Sequence, residues 1–449
     1  MEAIQQATSI RRTFYRFTIP AVMAMLVNGL YQIVDGIFVG HYLGQDGLTA
    51  MNMAWPIISL LLGTGLMIGM GAGSLISTYR GRQDTGQARA SLGNALIVIA
   101  FTGLASAAFL LQFGRPLLAL QGAAGQTAEY ATSYLQIFAV FSVISIAASA
   151  MPFLLRNDDS PKFATALMVL GAVLNTVLDY VMIGKLGWGL AGAAIATVTS
   201  QGVVLLLGLS YFLSRFSTLG IRPSACLPDP KKMADILALG SSSLVMYLYT
   251  GVMVALHNRL FMEYGSATHV AAYAIVGYLM TLYYLLAEGI SEGMQPPVSY
   301  FHGEQAADKI RQTVWLACKV TCVVGISWIA LLNVLPDTII GWFNPGNAAL
   351  QSEATNGIRL HLFGLFLDGL IVISSVYFMS VGRGGMALVI SLANMLIQLP
   401  FLWLLPKWLG LAGVWLAMPL SNIVLAVFAL TAMWRALHQP STQLKFVNA

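Results

Sequence analysis

Four of the five residues Trp188-Gly189-Leu190-Ala191-Gly192 return about 220 positions later in Leu409-Gly410-Leu411-Ala412-Gly413, each time at the opening of an apolar stretch. A second pair keeps nearly the same offset, Ser77-Thr78-Tyr79-Arg80-Gly81-Arg82-Gln83 being answered by Ser299-Tyr300-Phe301-His302-Gly303-Glu304-Gln305. Working outward from these anchors, cuts at clusters of polar residues, Gly and Pro divide the chain into twelve hydrophobic segments, six to each copy. Most are long enough for a helix to cross the hydrocarbon core, which takes roughly 20 apolar residues. An even number of spans per copy keeps both copies in one orientation, so the repeat is parallel and its axis lies along the membrane normal.

Composition points the same way. Of 449 residues, 57% are apolar and 9% charged, against about 25% charge in a soluble domain. This excludes a soluble enzyme, a nucleic-acid-binding protein and a disordered scaffold. The mean hydropathy of +0.75 calls for a lipid bilayer as partner. The expected fold is an all-α integral membrane protein of twelve transmembrane helices, arranged as two parallel-repeat six-helix lobes around a central cleft. The lobes are expected at residues 1–213 and 236–449, joined by a cytoplasmic linker at 214–235 that contains Pro223, Pro228 and Pro230.

The net charge of +5 is topological. With the N-terminus inside, 17 Lys and Arg fall in cytoplasmic loops or tails and 5 outside, with Lys319 within a span. That bias places both termini in the cytoplasm. The start, Ser9-Ile10-Arg11-Arg12-Thr13-Phe14, faintly resembles a twin-arginine signal, but the apolar run behind it is too long and carries Asp35, so it reads as an uncleaved first span. Cys226, Cys318 and Cys322 form no disulfide or metal framework.

Charged residues inside spans are costly and mark candidate sites. Asp35 lies in the first span about one turn before its outer end, and Asp179 at similar depth in the fifth; Asn175 sits one helical turn deeper on the same face as Asp179. Thr197 lies about nine residues into the sixth span, or roughly 13 Å at the helical rise, which matches the depth of Asn175. Two carboxylates, an amide oxygen and a hydroxyl form a hard-oxygen set suited to a proton or a sodium ion, with Tyr134 of the fourth span a weaker addition. The bland alternative is that the two aspartates merely bridge helices near the interface. At the corresponding spacing the second half has Asn394 and Gln398, so the ionisable version is expected in the first lobe alone.

The second half has its own charges. Asp368, near the middle of the tenth span, is expected to meet a cationic substrate. Glu288 and Glu292 lie one turn apart in the eighth span and Lys319 at comparable depth in the ninth, where an ion pair and a transport role are both open readings. Pro20 removes a helical hydrogen bond from the first span and offers a bend point. Glycine runs, such as Gly69-Met70-Gly71-Ala72-Gly73, read as close helix packing. No phosphate-binding loop, His-Glu-x-x-His or CxxC motif is present, so no catalysis and no cofactor are expected. Uphill work would then draw on an ion gradient.

Taken together, these residues resemble the multidrug and toxic-compound extrusion (MATE) transporters, in their DinF-like or MepA-like bacterial branch. The resemblance rests on Val34-Asp35-Gly36-Ile37-Phe38-Val39-Gly40, the loop Leu155-Arg156-Asn157-Asp158-Asp159-Ser160-Pro161, Asn175-Thr176-Val177-Leu178-Asp179, and Gly289-Ile290-Ser291-Glu292-Gly293-Met294-Gln295-Pro296. It implies a monomeric antiporter in the bacterial inner membrane that expels small organic cations in exchange for protons or sodium. It also implies that Asp35, Asn175, Asp179 and Thr197, with Tyr134 nearby, hold the coupling ion, and that Pro20 is the hinge of the first helix. A flippase for a lipid-linked precursor is the alternative from related folds; it would need a cationic cleft, whereas the mid-membrane residues are mainly acidic. A passive pore is a third reading.

Overall fold

The computed structural model describes residues 10–221, 227–341 and 348–438, so Ser9, Arg222, Pro223, Cys226 and Lys445 lie outside the described residues. Helix Ile10–Gly81 holds 72 residues. At about 1.5 Å per residue it would run far beyond a hydrocarbon core of ~30 Å. It is interrupted at Gly44, whose φ of 61° and ψ of −149° lie outside the helical region, so residues 10–43 and 45–81 are the first and second spans. The third, fifth and sixth spans are Thr85–Leu120, Pro161–Lys185 and Gly189–Leu213; the seventh to ninth are Pro230–Tyr264, Ala267–Gly303 and Ala307–Val334; the last two are Gly384–Leu409 and Leu411–His438. The fourth and tenth spans are each broken: Gly125–Val140 meets Ser142–Asn157 at 67°, and Ala348–His361 meets Leu365–Ser380 at 46°. The twelve expected spans are thus present, and among the described residues no strand occurs.

The repeated motif has a physical cause. Gly189 and Gly410 take φ of 60° and 58°, the left-handed turn that lets one span reverse into the next. Three residues on, Gly192 and Gly413 bring the returning helix against its predecessor. A Cβ on Gly192 would lie 3.2 Å from the backbone of Met182, and one on Gly413 would overlap the carbonyl of Leu405.

The chain divides into two compact units, and they do not coincide with the lobes expected from the repeat. One is Met23–Tyr247; the other comprises the described residues of Ala3–Val22 and Leu248–Ala449. Residues 10–22 go with the second unit because Gly289 and Gly293 of the eighth span have no side chain to hold off the backbone of Val22 and Thr18. The opening turns of the seventh span go with the first unit for the same reason, through Gly71 against Ile236 and Gly240 against Met67.

The expected linker is also fastened to the first unit at both ends. Asp158 accepts hydrogen bonds from Ser217 Oγ, Thr218 N and Thr218 Oγ1. Further on, Asn94 bonds Leu227 O and Asp229 N. Asp229 then caps the seventh span, its Oδ1 accepting from the N–H groups of Lys231 and Lys232 with Pro230 at the first helical position. Those bonds, the Lys232 N–H first, hold its exposed carboxyl below the ordinary carboxylate range.

Two glycines of neighbouring spans separate packing from propensity. Gly413→Ala is expected to destabilise the protein by about 1–3 kcal/mol through overlap with the Leu405 carbonyl. Gly385→Ala, where a Cβ would meet nothing within 4 Å, is expected to be neutral or slightly stabilising. Thermal unfolding in detergent compares the two.

Candidate functional site

Within the first unit, four helices converge on a buried oxygen cluster. The first span brings Asp35, the fourth Tyr134, the fifth Asn175 and Asp179, and the sixth Thr197, and all five side chains are buried, Asp179 completely. The fifth span changes character just here: its α-helix ends at Asp179 and the chain continues as a single π-helical stretch, Tyr180–Lys185. Such wide turns recur at functional positions because they displace side chains from the regular spiral.

The hydrogen bonding of the cluster is lopsided. Asn175 Nδ2 donates to Thr197 Oγ1 at 3.2 Å, and Thr197 Oγ1 donates in turn to Ala193 O at 3.0 Å. This turns the amide oxygen of Asn175 the other way. Asn175 Oδ1, Asp35 Oδ1 and both carboxylate oxygens of Asp179 are buried without a protein donor. Four acceptors in one cluster with no donor ask for something positive, since an unsatisfied buried polar group costs about 1–3 kcal/mol and a charged one more. The carboxylates of Asp35 and Asp179 act on each other electrostatically, and both act on the hydroxyls of Tyr134 and Tyr31. Tyr31, one helical turn before Asp35 on the same face, is a further member of the site, and the i, i+4 spacing is its signal in the sequence.

The second unit treats its acidic residues differently. Asp368 is buried and accepts from Tyr284 Oη at 3.2 Å on one oxygen and from Asn422 Nδ2 at 2.6 Å on the other. Tyr284, Glu288 and Glu292 follow one another at four-residue intervals on the eighth span, and the two glutamates act on each other's charge. Glu288 is exposed and Glu292 buried. Lys319 is exposed, and among the described residues it makes no ion pair with either glutamate, which leaves the ion-pair reading without support. Gln398, the neutral counterpart of Asp179, accepts from Tyr249 Oη at 2.6 Å.

Pro20 lies within uninterrupted helix: the only non-helical residue of Ile10–Gly81 is Gly44, so this conformation has no break in the first span at the expected hinge. The change of unit at Val22 and Met23 nevertheless falls two residues beyond it. Among the described residues no three His, Cys, Asp or Glu side chains are grouped to hold a metal ion; the first-unit cluster differs from such a site in drawing half its set from an amide and a hydroxyl.

Comparison with known proteins places these features in a family. A family model described as MatE matches residues 20–181 and 238–404, the bulk of both repeats. The multidrug export protein MepA of Staphylococcus saprophyticus is 22% identical over 431 residues, covering 96% of this chain and 94% of that protein. Among solved structures, a MATE protein in complex with MaL6 superposes with a TM-score of 0.92 at 23% identity over 99% of both chains. An outward-facing multidrug resistance MATE transporter of the MOP superfamily superposes with 0.91 at 23% identity, again over 99% of both.

The Asn175–Thr197 contact can be tested apart from any transport. Thr197→Val removes the acceptor of the buried amide and is expected to cost about 1–3 kcal/mol in thermal stability, whereas Thr197→Ser retains the hydroxyl and is expected to lose much less.

Proposed function

Since the chain belongs to the MatE family of membrane transporters, we propose that it is a multidrug efflux antiporter that exports organic cations by alternating access in exchange for an inward-moving proton or sodium ion. The observation that carries this reading is the set of four donor-less acceptors on Asp35, Asn175 and Asp179. In the proposed cycle the carboxylates of Asp35 and Asp179 are ion-free while the organic cation is taken up from the cytoplasm. A proton or sodium ion arriving from outside then neutralises them, and the first helix rearranges, with Pro20 as its hinge, so that the cargo leaves. Coupling is competition for negative charge. Asn175 and Thr197 complete the oxygen set, and Tyr134 borders it.

Asp368, Glu288 and Glu292 are proposed to line the substrate's path. Their sign suits an organic cation and opposes the polyanionic head group of a lipid-linked precursor. The MepA relatives carry the name of multidrug export proteins, which supports a drug-like substrate. The chain is proposed to work as a monomer in the bacterial inner membrane with both termini in the cytoplasm.

Asp35→Asn and Asp179→Asn are each expected to abolish gradient-driven efflux of a fluorescent cation from proteoliposomes while leaving membrane insertion and thermal unfolding intact. Normal drug resistance in cells carrying either variant would remove the mechanism. Efflux under a sodium gradient alone and a pH gradient alone, in the parent chain, identifies the coupling ion.

A further inference from the structure

The second unit contains a buried cluster that the cycle above does not use. His257 of the seventh span and His361, the last residue of helix Ala348–His361, are 1% and 0% exposed. Their ring centroids are 5.5 Å apart at an interplanar angle of 82°. Tyr273 of the eighth span stacks on His257 at 5.1 Å and meets His361 edge-on at 5.7 Å. Trp415 of the twelfth span closes the group at 5.8 Å from His361.

Backbone chemistry fixes how each ring carries its proton. His257 Nδ1 lies 2.9 Å from Met253 O and His361 Nδ1 lies 2.7 Å from Trp415 O. A carbonyl oxygen only accepts, so both Nδ1 atoms donate, and in the neutral rings both Nε2 atoms hold a bare lone pair. The Trp415 carbonyl is available because the residue four positions on is Pro419, which has no N–H to offer it. The two Nε2 atoms are buried and have no partner, as is the Nε1–H of Trp415. Two bases and one donor are thus sealed in one aromatic enclosure.

The repeat gives this cluster a position. At the offset that aligns Ser77 with Ser299, His257 falls opposite Asp35. Asn394 and Gln398 make the second copy neutral opposite Asn175 and Asp179, but at this other position it has a base where the first has an acid.

We propose that His257 and His361 form a second proton-binding site, in which one proton from water is taken up by the paired Nε2 lone pairs. Imidazole nitrogen is a poor ligand for a hard alkali ion, so this site discriminates against sodium where the oxygen cluster of the first unit does not. The conformation described here is its proton-free form. The titratable groups facing the two rings are each other and Tyr273; Arg259, Glu263 and Arg359 on the same helices are exposed, Glu353 pairs with His269 at 3.6 Å, and Asp368 is held by Tyr284 and Asn422. Among the described residues no carboxylate matches an imidazolium here, so the proton-loaded form belongs to a conformation in which the enclosure admits water.

The test reads the rings directly. The full-length chain, labelled with 15N-histidine in nanodiscs, is titrated between about pH 8 and about pH 5, and the six histidines are sorted by Asn substitution at 257 and 361. Two signals are expected to begin as the Nδ1–H tautomer and to take up a single proton as a coupled pair, and loss of one ring should shift the proton affinity of the other at least tenfold. Two rings that stay neutral throughout, or that titrate independently, overturn the proposal. The result is expected to be the same in the Asp35→Asn, Asp179→Asn chain, which separates it from the first-unit mechanism. Asn is the informative substitution because its amide N–H can replace Nδ1–H while supplying no base at Nε2. In proteoliposomes His257→Asn and His361→Asn should each reduce the ratio of efflux rates between about pH 6 and about pH 8 by half or more; a parent-like pH profile in folded variants overturns the proposal.

Discussion

A carboxylate removed from water and given no hydrogen-bond donor is among the most costly arrangements a protein can hold, several kcal/mol per ion even after relaxation. In the first unit Asp35, Asn175 and Asp179 present four such acceptors together. The surrounding helices have few means of relieving them. Asn175 spends its amide N–H on Thr197, whose hydroxyl hydrogen goes to the backbone at Ala193. The hydroxyls of Tyr31 and Tyr134 lie within the field of both carboxylates, and no Lys or Arg is paired with them among the described ion pairs. A cluster so arranged is stable only in company with a positive charge, and the remaining architecture can be read as what holds four helix segments close enough to impose that condition.

The glycine faces do much of that holding. Where Gly65, Gly69 and Gly73 face helix Ser142–Asn157 of the fourth span, each would place a Cβ against Ile146, Ala150 or Asn157, so the second span lies close against that helix. In lipid such contact replaces the hydrophobic driving force, because acyl chains are as apolar as leucine. The same device assigns residues 10–22 and the start of the seventh span to units other than those their place in the repeat would indicate. Each six-span copy therefore lends the opening turns of its first helix to the other unit, a feature that follows from which faces are bare of side chains and not from where the sequence repeat begins.

The second unit follows the opposite rule with its carboxylate. Asp368 has a donor on each oxygen, and the counterparts of Asn175 and Asp179 are neutral amides. Beside the unpartnered oxygens of Thr18, Thr321 and Asn394 it holds unpartnered nitrogens, in the His257 and His361 enclosure, where Pro419 leaves the Trp415 carbonyl for His361 to satisfy. The two copies share bends in their fourth helices and left-handed glycines before their sixth, yet differ in the sign of the chemistry placed within.

Much of this was legible in the amino-acid sequence. Low charge, the length of the apolar runs and the recurrence of Gly-Leu-Ala-Gly determine a twelve-span membrane protein in two parallel copies, because a helix in lipid must satisfy its own backbone and needs a set number of residues to cross. Helical periodicity alone placed Asp179 and Asn175 on one face and Thr197 at their depth. What it could not reach are matters of direction across space. The amide of Asn175 turns its oxygen away from Thr197, Asp368 is hydrogen-bonded by donors from two helices distant in sequence, and Lys319 is exposed and unpaired with the glutamates at its own depth. Nothing in the spacing of the sequence joins His257 to His361; only the packing of four helices buries the two rings side by side. Spacing along a helix is set by the 3.6-residue turn and can be counted, whereas partnership between helices depends on which faces meet, and that was decided by the tertiary structure alone.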